Sequence, residues 1–522
     1  MSCYQYFTPF RIHQHQHRSA SALKLPVIPA MADTGIAKPN RVSFRSWIWD
    51  ADSHLKSKAE LRLLLKLDLS ILVIGCLGFF MKFLDQTNLM NAYVSGMKED
   101  LEMNGNEYTY AMTMYTIAYA IMQVPSTLIV QKVRPALWLA IMEVGWGVWT
   151  FAQAGITNSN QLYAFRFLVG LFESSFSPVL LYLIGGWYTK SEMAKRTAIF
   201  MMTAPIGTAF SGYLQAAVFT NLDGVNGLAG WRWLYIICGI MTVPVGLATF
   251  FFLPDTPFTT KAWFLTEEER ILALERVRKE GTAPPGELSF RHVGRVLTRW
   301  RWYGFVIAYV LYGCSSMSAG FFAIWLKSEG YTVVQSNVIP TGTWLISGFA
   351  TVLWGYLSDY TGSRFLFVVI PLALGMVSNG ILAVWPAGNA VKMFAFLFIG
   401  VQLMPGVFFA WAMEVCREDN EERAIVASSM NGMTYAVVAW LPILIFPQTM
   451  APDFRYGYPA SFALVIASII AAIVVQLLII REKKKKRGEV SETITSQGDE
   501  ESSENGAKGA VTDFKAIEAG AD

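Results

Sequence analysis

Long apolar runs alternate with short polar segments along most of this chain. A helix needs about 20 consecutive apolar residues to cross a bilayer. Twelve runs meet this requirement, and they predict membrane-spanning helices near residues 67–87, 109–130, 136–156, 162–186, 197–219, 231–253, 303–326, 338–358, 365–385, 391–413, 425–446 and 460–480. One long polar segment, between the sixth and seventh runs, divides the twelve spans into two sets of six.

The polar segments also predict the domain organisation. We expect an N-terminal cytosolic tail, a first six-helix bundle, a cytosolic linker, a second six-helix bundle and a disordered C-terminal tail, at residues 1–62, 63–253, 254–302, 303–480 and 481–522. In the linker, Thr266 and Glu269 have the spacing of a capping box and predict a helix start. We interpret residues 1–30, which precede Met31, as an upstream extension. Two six-helix halves joined by a linker are typical of secondary transporters built from repeats.

Composition supports an all-α membrane protein and argues against an enzyme. Of the 522 residues, 53% are hydrophobic and 16% are charged, against about 25% charged residues in soluble proteins. We find no phosphate-binding loop, HExxH or GxSxG motif, which argues against an ATP-driven pump. The five cysteines are scattered, and the alternating His13, His15 and His17 are a weak case for a metal tract. We expect no cofactor, metal or nucleic-acid partner.

The distribution of basic residues predicts the orientation in the membrane, because Lys and Arg favour cytosolic loops. With a cytosolic N-terminus, the inner loops contain Lys132, Arg134, Lys190, Lys195, Arg196, Arg364, Arg417 and Arg423. The outer loops contain Lys98, Lys327 and Arg455, or five basic residues with Arg232 and Lys392 at their edges. A basic run at 481–487 follows the last span. We therefore predict a multi-pass protein of the plasma membrane, the default location, with both termini cytosolic.

Lys82, Asp85 and Asn88 share one face of the first span. A charge at the bilayer centre costs about 2.5–3.5 kcal/mol on insertion scales, and it persists where it lines a pathway or finds a partner. We predict that Lys82 and Asn88 contact a solute and that Asp85 is a proton or ion-pair candidate. The alternative is an interfacial pair that reaches the headgroups, because both charges lie toward the far end of the predicted span.

The fourth span contains two further charges, Arg166 and Glu173. At 1.5 Å per residue, Arg166 lies about 6–8 Å below the outer surface, at the depth of Asp85, so an Asp85–Arg166 ion pair is plausible. The planar guanidinium of Arg166 suits a carboxylate. Glu173 lies near the midplane, where transporters bind substrate and coupling ion, and desolvation there favours a proton-carrying carboxyl. The alternative is a structural, hydrogen-bonded Glu173.

Other polar residues suggest gating or structural roles. After the eighth span, Gly355, Asp359, Gly362 and Arg364 have the spacing Gly-x3-Asp-x2-Gly-x-Arg. A small residue such as Gly355 allows two helices to approach, and Asp359 and Arg364 can pair as a gating latch. The equivalent turn of the first half, residues 125–135, lacks the Asp. We interpret Glu143, Arg232 and Glu414 as interfacial, cavity-edge or structural residues.

Several of these segments resemble the fungal anion:cation symporter branch of the major facilitator superfamily, which includes allantoate, nicotinate, biotin and pantothenate permeases. The resemblance extends from residue 63 to about residue 482. The segments that carry it are Asp85-Gln86-Thr87-Asn88, Arg166-Phe167-Leu168 with Glu173, Gly230-Trp231-Arg232-Trp233, Leu253-Pro254-Asp255-Thr256-Pro257, the linker helix start at 265–270 and the loop from Gly355 to Arg364. Residues 91–101, 226–234, 422–426 and 429–431 are most similar to pantothenate permeases.

This chain departs from the family pattern at two positions. Gln86 replaces the Arg that usually follows the first-span Asp, and Lys82 is one turn away and able to replace that charge. In the sixth span, Cys238 stands where the family usually has a carboxylate before a Gly. The polar lining therefore differs from that of a typical member, and pantothenate is one of several candidate substrates.

The resemblance implies a major facilitator fold and a proton-coupled secondary transporter of a small organic carboxylate, such as pantothenate or a similar vitamin. The partners would be that carboxylate, protons and the lipid bilayer, and we expect a monomer. Two alternatives remain. One is an exporter of an acidic secondary metabolite, because the fold permits either direction. The other is a non-transporting nutrient receptor, although the short, polar tails argue against it.

Overall fold

The computed structural model describes residues 56–279, 290–416 and 419–485. These residues form twelve long helices, which we call the first to twelfth spans. In chain order the spans are Lys58–Asp100, Glu107–Lys132, Pro135–Ala152, Ser159–Trp187, Lys190–Leu222, Gly230–Phe252, Trp300–Ser328, Val333–Thr361, Leu366–Val384, Asn389–Val415, Asn420–Val438 with Leu441–Ile445, and Gly457–Lys485. Nine of these have an apolar stretch long enough to cross a membrane.

The helices extend beyond the predicted apolar runs because backbone hydrogen bonding continues past the hydrocarbon core. The first span begins at Lys58, inside the segment expected to be a tail, and the twelfth ends at Lys485. The first span has π-helical turns at Asp68–Val73 and Tyr93–Met97. The remainder of the two predicted tails, the histidines at 13–17 and the linker segment 280–289 lie outside the described residues.

Two further helices, Glu267–Lys279 and Phe290–Leu297, lie in the linker between the sixth and seventh spans. The predicted capping box is confirmed, because Glu269 N–H donates to Thr266 Oγ1 at 3.3 Å and Thr266 N–H donates to Glu269 Oε2 at 2.9 Å. Burial alone would raise the pKa of Glu269. Hydrogen bonds from Lys66 Nζ and from the Thr266 backbone hold that pKa below its usual value.

We name the two ends of the bundle by the linker. The linker face contains the described linker residues 253–279 and 290–300, and the opposite face contains the end of the first span. Near the opposite face, one apolar core joins both halves and includes Met97, Tyr108, Phe321, Trp325 and Phe446. Toward the linker face, the first half and the second half have largely separate cores. The two halves are therefore closed together at the opposite face.

Polar contacts at the opposite face reinforce this closure. Asn337 Nδ2 of the eighth span donates to Ser95 Oγ of the first span at 2.9 Å. Lys327 Nζ of the seventh span lies 2.8 Å from Glu99 Oε1. Because the Lys327–Glu99 pair is exposed to solvent, it contributes little free energy, and most of the closure depends on the apolar core.

Ion pairs anchor each linker helix to its own half. On the first half, Arg276 pairs with Glu60 and Glu192, and Lys66 Nζ lies 2.8 Å from Glu269 Oε2. On the second half, Arg295 Nη2 lies 2.9 Å from Asp419 Oδ2. Each part of the linker is thus positioned to move with the half to which it is bound.

Gly212 allows the fifth and eighth spans to approach closely at the opposite face. A Cβ atom at this position would overlap the backbone oxygen of Asn337 and lie 2.6 Å from Thr341 Cγ2. We therefore expect Gly212→Ala to separate the two spans and to open the opposite face. Labelling of Ser95→Cys by a membrane-impermeant maleimide should increase in the Gly212→Ala background.

Gly155→Ala is the matched control, because a Cβ atom at Gly155 has no neighbour within 4 Å. We expect its labelling to equal that of the Ser95→Cys protein alone. Equal labelling of the Gly212→Ala and Gly155→Ala proteins would show that the 212–337 contact does not hold this face closed.

Candidate substrate and proton pathway

Lys82 lies in the interior of the first span, and its side chain is only 1% exposed. Its ammonium donates to Tyr119 Oη at 2.9 Å and to Ser177 Oγ at 3.0 Å. These partners come from the second and fourth spans. The helix continues beyond Lys82 for about three turns before its backbone kinks at Ser95 and Gly96, so the interfacial interpretation of this residue is wrong.

Tyr115 connects the two charges of the fourth span. Its hydroxyl donates to Glu173 Oε1 at 2.7 Å, and its ring faces the guanidinium of Arg166, with Cζ 4.6 Å from the ring centroid. Gly170 makes this possible, because a Cβ atom there would overlap the backbone oxygen of Tyr115. The close approach of the second and fourth spans thus places Arg166, Tyr115 and Glu173 in one cluster.

Arg166 and Glu173 both retain buried polar atoms without a hydrogen-bond partner among the described residues. These atoms are Nε and Nη1 of Arg166 and Oε2 of Glu173. A buried polar group without a partner is costly, so such groups often mark a position where another molecule binds. The site can therefore offer donors to an anion and an acceptor to a proton.

Asp85 is also fully buried, but it does not form the ion pair with Arg166 that we considered plausible. It accepts hydrogen bonds from Thr242 Oγ1 at 3.0 Å and from Asn88 Nδ2 at 3.3 Å, while the guanidinium of Arg166 is directed toward Tyr115. The difference arises because equal depth does not determine how a helix is rotated about its axis.

Both the amide nitrogen and the amide oxygen of Asn88 form hydrogen bonds in this conformation. Besides donating to Asp85, it accepts a hydrogen bond from Ser211 Oγ of the fifth span at 3.1 Å. These contacts position Asp85 and join the first and fifth spans. The predicted contact of Asn88 with a solute stays a prediction.

The second half contributes a neutral polar cluster, which the sequence analysis did not identify. Ser318 Oγ donates to Asn379 Oδ1 at 3.0 Å, and Asn379 Nδ2 donates to Gln402 Oε1 at 3.0 Å. Gln402 Nε2 then donates to Ser315 Oγ at 2.6 Å. All four side chains are buried. Isolated amides inside apolar spans were the signal that could have found them.

Aromatic residues between the halves were also missed. Tyr119 of the second span contacts Tyr435 of the eleventh span, with ring centroids 4.4 Å apart. Tyr115 and Tyr119 are four residues apart and so share a helix face. That spacing was available in the sequence, but it did not show which face is directed at the charged residues.

The predicted gating residues form contacts within the second half. Arg364 Nη1 pairs with Asp359 and donates to Ser358 Oγ at 3.2 Å, and Arg364 Nε lies 3.4 Å from Glu414 Oε2. Gly362 adopts φ +67° and ends the eighth span. A Cβ atom at Gly355 would meet nothing within 4 Å, so the expected close helix approach at Gly355 is absent in this conformation.

The equivalent turn of the first half obtains its acidic partner from another segment. Arg134 Nε lies 2.8 Å from Asp255 Oδ2, in the segment after the sixth span. Asp255 also accepts from the backbone N–H of Ala136 at 3.2 Å, and its carbonyl accepts from Trp187 Nε1 at 2.8 Å. Asp255 therefore links the third, fourth and sixth spans at the linker face.

Contacts decide the interpretation of three remaining residues. Arg232 donates to the carbonyl oxygens of Ala154 and Ile156, which supports its structural interpretation. Glu414 is largely exposed, as expected of an edge residue. Glu143, in contrast, is completely buried, so the interfacial interpretation of Glu143 is wrong.

Buried charges inside a bundle of two six-helix halves define a membrane transport protein. The described residues contain no group of three His, Cys, Asp or Glu side chains able to hold a metal ion. The family model of the Major Facilitator Superfamily matches residues 75–442. The chain belongs to this superfamily of secondary transporters and is not an enzyme.

Curated relatives from fungi match most of the chain. MFS transporter PfmaC of Pestalotiopsis fici is 37% identical, over 79% of this chain and 79% of its own length. Pantothenate transporter FEN2 of Saccharomyces cerevisiae is 36% identical, over 78% and 81%. Pantothenate transporter liz1 of Schizosaccharomyces pombe is 34% identical, over 77% and 79%.

The fold is similar to that of solved transporters. A bacterial homologue of the human lysosomal transporter Spinster, in an inward-facing and unoccupied conformation, has a TM-score of 0.60 and 12% sequence identity. The match covers 79% of this chain and 96% of that protein. The predicted all-helical major facilitator fold is therefore confirmed.

Tyr115 is the side chain on which the geometry of Glu173 depends. Tyr115→Phe removes the hydroxyl that donates to Glu173 Oε1, and loss of a partner in a buried site costs about 1–3 kcal/mol. We expect a lower thermal unfolding temperature of the purified protein and a slower transport rate. Tyr110→Phe is the control, because Tyr110 is on the same span but is 41% exposed. Equal behaviour of the two variants would contradict a role for the Tyr115 hydroxyl.

Proposed function

We propose that this protein imports a small organic carboxylate together with protons, and that pantothenate is its first candidate substrate. The observation that carries the proposal is the buried pair of cations in the first half. Lys82 and Arg166 are 1% and 2% exposed, and two guanidinium nitrogens of Arg166 have no partner among the described residues. A carboxylate would satisfy those donors with charge-assisted hydrogen bonds.

Glu173 supports proton coupling because it lies in the same cluster as the cations. Tyr115 contacts both Arg166 and Glu173. A change of charge at either residue therefore alters the electrostatic environment of the other. An anion next to Arg166 compensates its positive charge, and a proton on Glu173 removes a negative charge close by. Binding of the carboxylate and the proton would thus favour each other electrostatically.

Two relatives support the choice of substrate. FEN2 and liz1 are named pantothenate transporters, and each is at least 34% identical to this chain over more than three quarters of its length. Besides its carboxylate, pantothenate has hydroxyl groups and an amide. The neutral cluster of Ser315, Asn379 and Gln402 in the second half offers hydrogen-bonding groups of a matching kind.

The predicted orientation determines which side of the membrane the described conformation would open to. With the linker face cytosolic, the closed opposite face is extracellular, and the conformation described here would exchange substrate with the cytosol. The excess of basic residues in the linker-face loops supports that orientation. We propose a plasma-membrane protein that acts as a monomer, with both termini cytosolic.

The first experiment is uptake of radiolabelled pantothenate by fungal cells that lack their own pantothenate transporter. Saturable uptake that a protonophore abolishes would support both the substrate and the coupling. Cells expressing the protein at their surface without such uptake would contradict pantothenate. Efflux from preloaded cells would then test export of an acidic metabolite.

Glu173→Gln tests the coupling role, because the amide keeps the shape of the side chain but cannot carry a proton. We expect proton-driven accumulation of pantothenate to be abolished or uncoupled from the pH gradient. The measurement is uptake at several external pH values, from acidic to neutral, in cells with equal surface expression. Wild-type activity at every pH would exclude Glu173 as the coupling group.

Arg166→Lys tests the contact with the substrate carboxylate, because a lysine ammonium cannot reproduce the planar donor pair of a guanidinium. One charge-assisted hydrogen bond is worth about 1.5 kcal/mol or more, so we expect the KM to rise by about tenfold or more. The control is Arg455→Lys, a loop residue that is exposed. An unchanged KM in Arg166→Lys would contradict direct contact.

A further inference from the structure

Glu143 of the third span is a buried carboxyl that the pathway between the halves does not use. It is 0% exposed. Its Oε2 accepts a hydrogen bond from Thr249 Oγ1 of the sixth span at 2.6 Å, and its Oε1 has no partner among the described residues. Since an unpaired charge is strongly disfavoured in such surroundings, the position suits a carboxyl that can take up a proton.

Two glycines create the space that this carboxyl occupies. A Cβ atom at Gly78 of the first span would lie 2.7 Å from Glu143 Oε1. A Cβ atom at Gly246 of the sixth span would lie 3.2 Å from Glu143 Cγ. Alanine at either position would crowd Glu143, so the crossing of the first, third and sixth spans is shaped around it.

Glu143 is the first member of a buried polar stripe on the third span. Trp146, Thr150 and Gln153 follow at helical spacing and share its face. Each of these side chains is at most 1% exposed, and Thr150 and Gln153 have polar atoms without a partner among the described residues. The stripe extends for ten residues, or about 15 Å along the helix, from Glu143 toward the opposite face.

Asp85 lies beside the middle of this stripe. A Cβ atom at Gly147 would lie 3.1 Å from Cγ2 of Thr242, the residue that donates to Asp85. Thr242 and Thr249 are seven residues apart on the sixth span, so they share a face about 10 Å apart along the helix. Asp85 and Glu143 are thus two acidic groups along one face of the sixth span, with Glu143 closer to the linker face.

The surroundings of Glu143 identify its titratable neighbour. The first span contributes Gly78 and the fourth span Phe176, while the sixth span contributes Gly246 and Thr249. None of these side chains titrates. Asp85, which accepts a hydrogen bond from Thr242 on the same face of the sixth span, is the acidic group along this face.

We propose that Glu143 is a second proton-binding group, which exchanges a proton with Asp85 inside the first half, along a route separate from the substrate pathway. In the step, the proton leaves one carboxyl oxygen of Asp85 and arrives on a carboxyl oxygen of Glu143 through intervening hydroxyl groups or water, because the threonines that donate to the two carboxyls are about 10 Å apart along the sixth span. No other bond changes. This inference rests on the proposed proton coupling, and it places a proton-holding group closer to the linker face than Asp85.

The first test separates net transport from exchange, using pantothenate as the probe. A group that transfers the coupled proton is needed for net uptake but not for exchange of labelled for unlabelled substrate. We expect Glu143→Gln to slow net uptake on the order of 10²-fold, which is the typical contribution of one proton-transferring group to a rate. Exchange should be preserved. Glu143→Asp, which keeps an acid, should restore part of the net uptake.

Glu107→Gln is the matched control. Glu107 lies at the end of the second span and accepts from Ser159 Oγ at 2.9 Å, outside the proposed route. Its net uptake and exchange should equal those of the wild type. Wild-type net uptake in Glu143→Gln, or an equal loss of net uptake and exchange in that variant, would overturn the proposal in favour of a structural role.

A second measurement does not depend on the substrate. Infrared difference spectra of the purified full-length protein, recorded between mildly acidic and mildly alkaline pH, report carboxyl groups that gain or lose a proton. We expect a protonated-carboxyl band in the wild type that Glu143→Gln lacks. Failure of pantothenate uptake with this band present would refute the proposed substrate alone. A Glu143 band that is absent or unchanged by pH would refute the proton site.

Discussion

Buried charge is the constraint on which the first half of this protein depends. An ammonium group in the interior of a membrane bundle must find hydrogen-bond acceptors, because lipid and apolar side chains provide none. Lys82 finds its two acceptors on the second and fourth spans. The same two spans approach closely at Gly170, where Tyr115 meets Arg166 and Glu173. The relative rotation of three helices is therefore fixed by the compensation of these charges.

The two ends of the bundle differ in a way that suits alternating access. At the opposite face one apolar core crosses from the first half to the second, through residues such as Met97 and Trp325. Toward the linker face, the ion pairs described above, such as Arg134–Asp255 and Arg364–Asp359, lie within one half. A rocking motion would thus break apolar contacts at one face while leaving these ion pairs intact.

Hydropathy predicted the fold because the bilayer imposes a minimum length on each apolar run and requires helical backbone. It did not predict helix ends, since the helix of the first span continues well beyond the apolar run, from Lys58 to Asp100. Lys82 and Glu173 were identified because a charge in an apolar run is conspicuous. Their partners Tyr115 and Tyr119 were not identified, because tyrosine is common in such helices. Which way a tyrosine side chain points depends on how the helices pack. Glu143 was misplaced for the same reason, since depth in the membrane does not determine which side of a helix is buried.

The two halves differ in the polar groups that the middle parts of their spans contribute to the interior of the bundle. Within the described interior of the bundle, the first half contributes Lys82, Arg166 and Glu173, while the second half contributes the hydroxyl and amide groups of Ser315, Asn379 and Gln402. Under the proposed function, proton coupling and carboxylate binding would belong to the first half, and recognition of the neutral part of the substrate would belong to the second half. Substitutions among neutral residues of the second half could change which carboxylate is accepted without altering the charges of the first half. A lineage of such proteins could therefore acquire new substrates by small steps while keeping the same driving force.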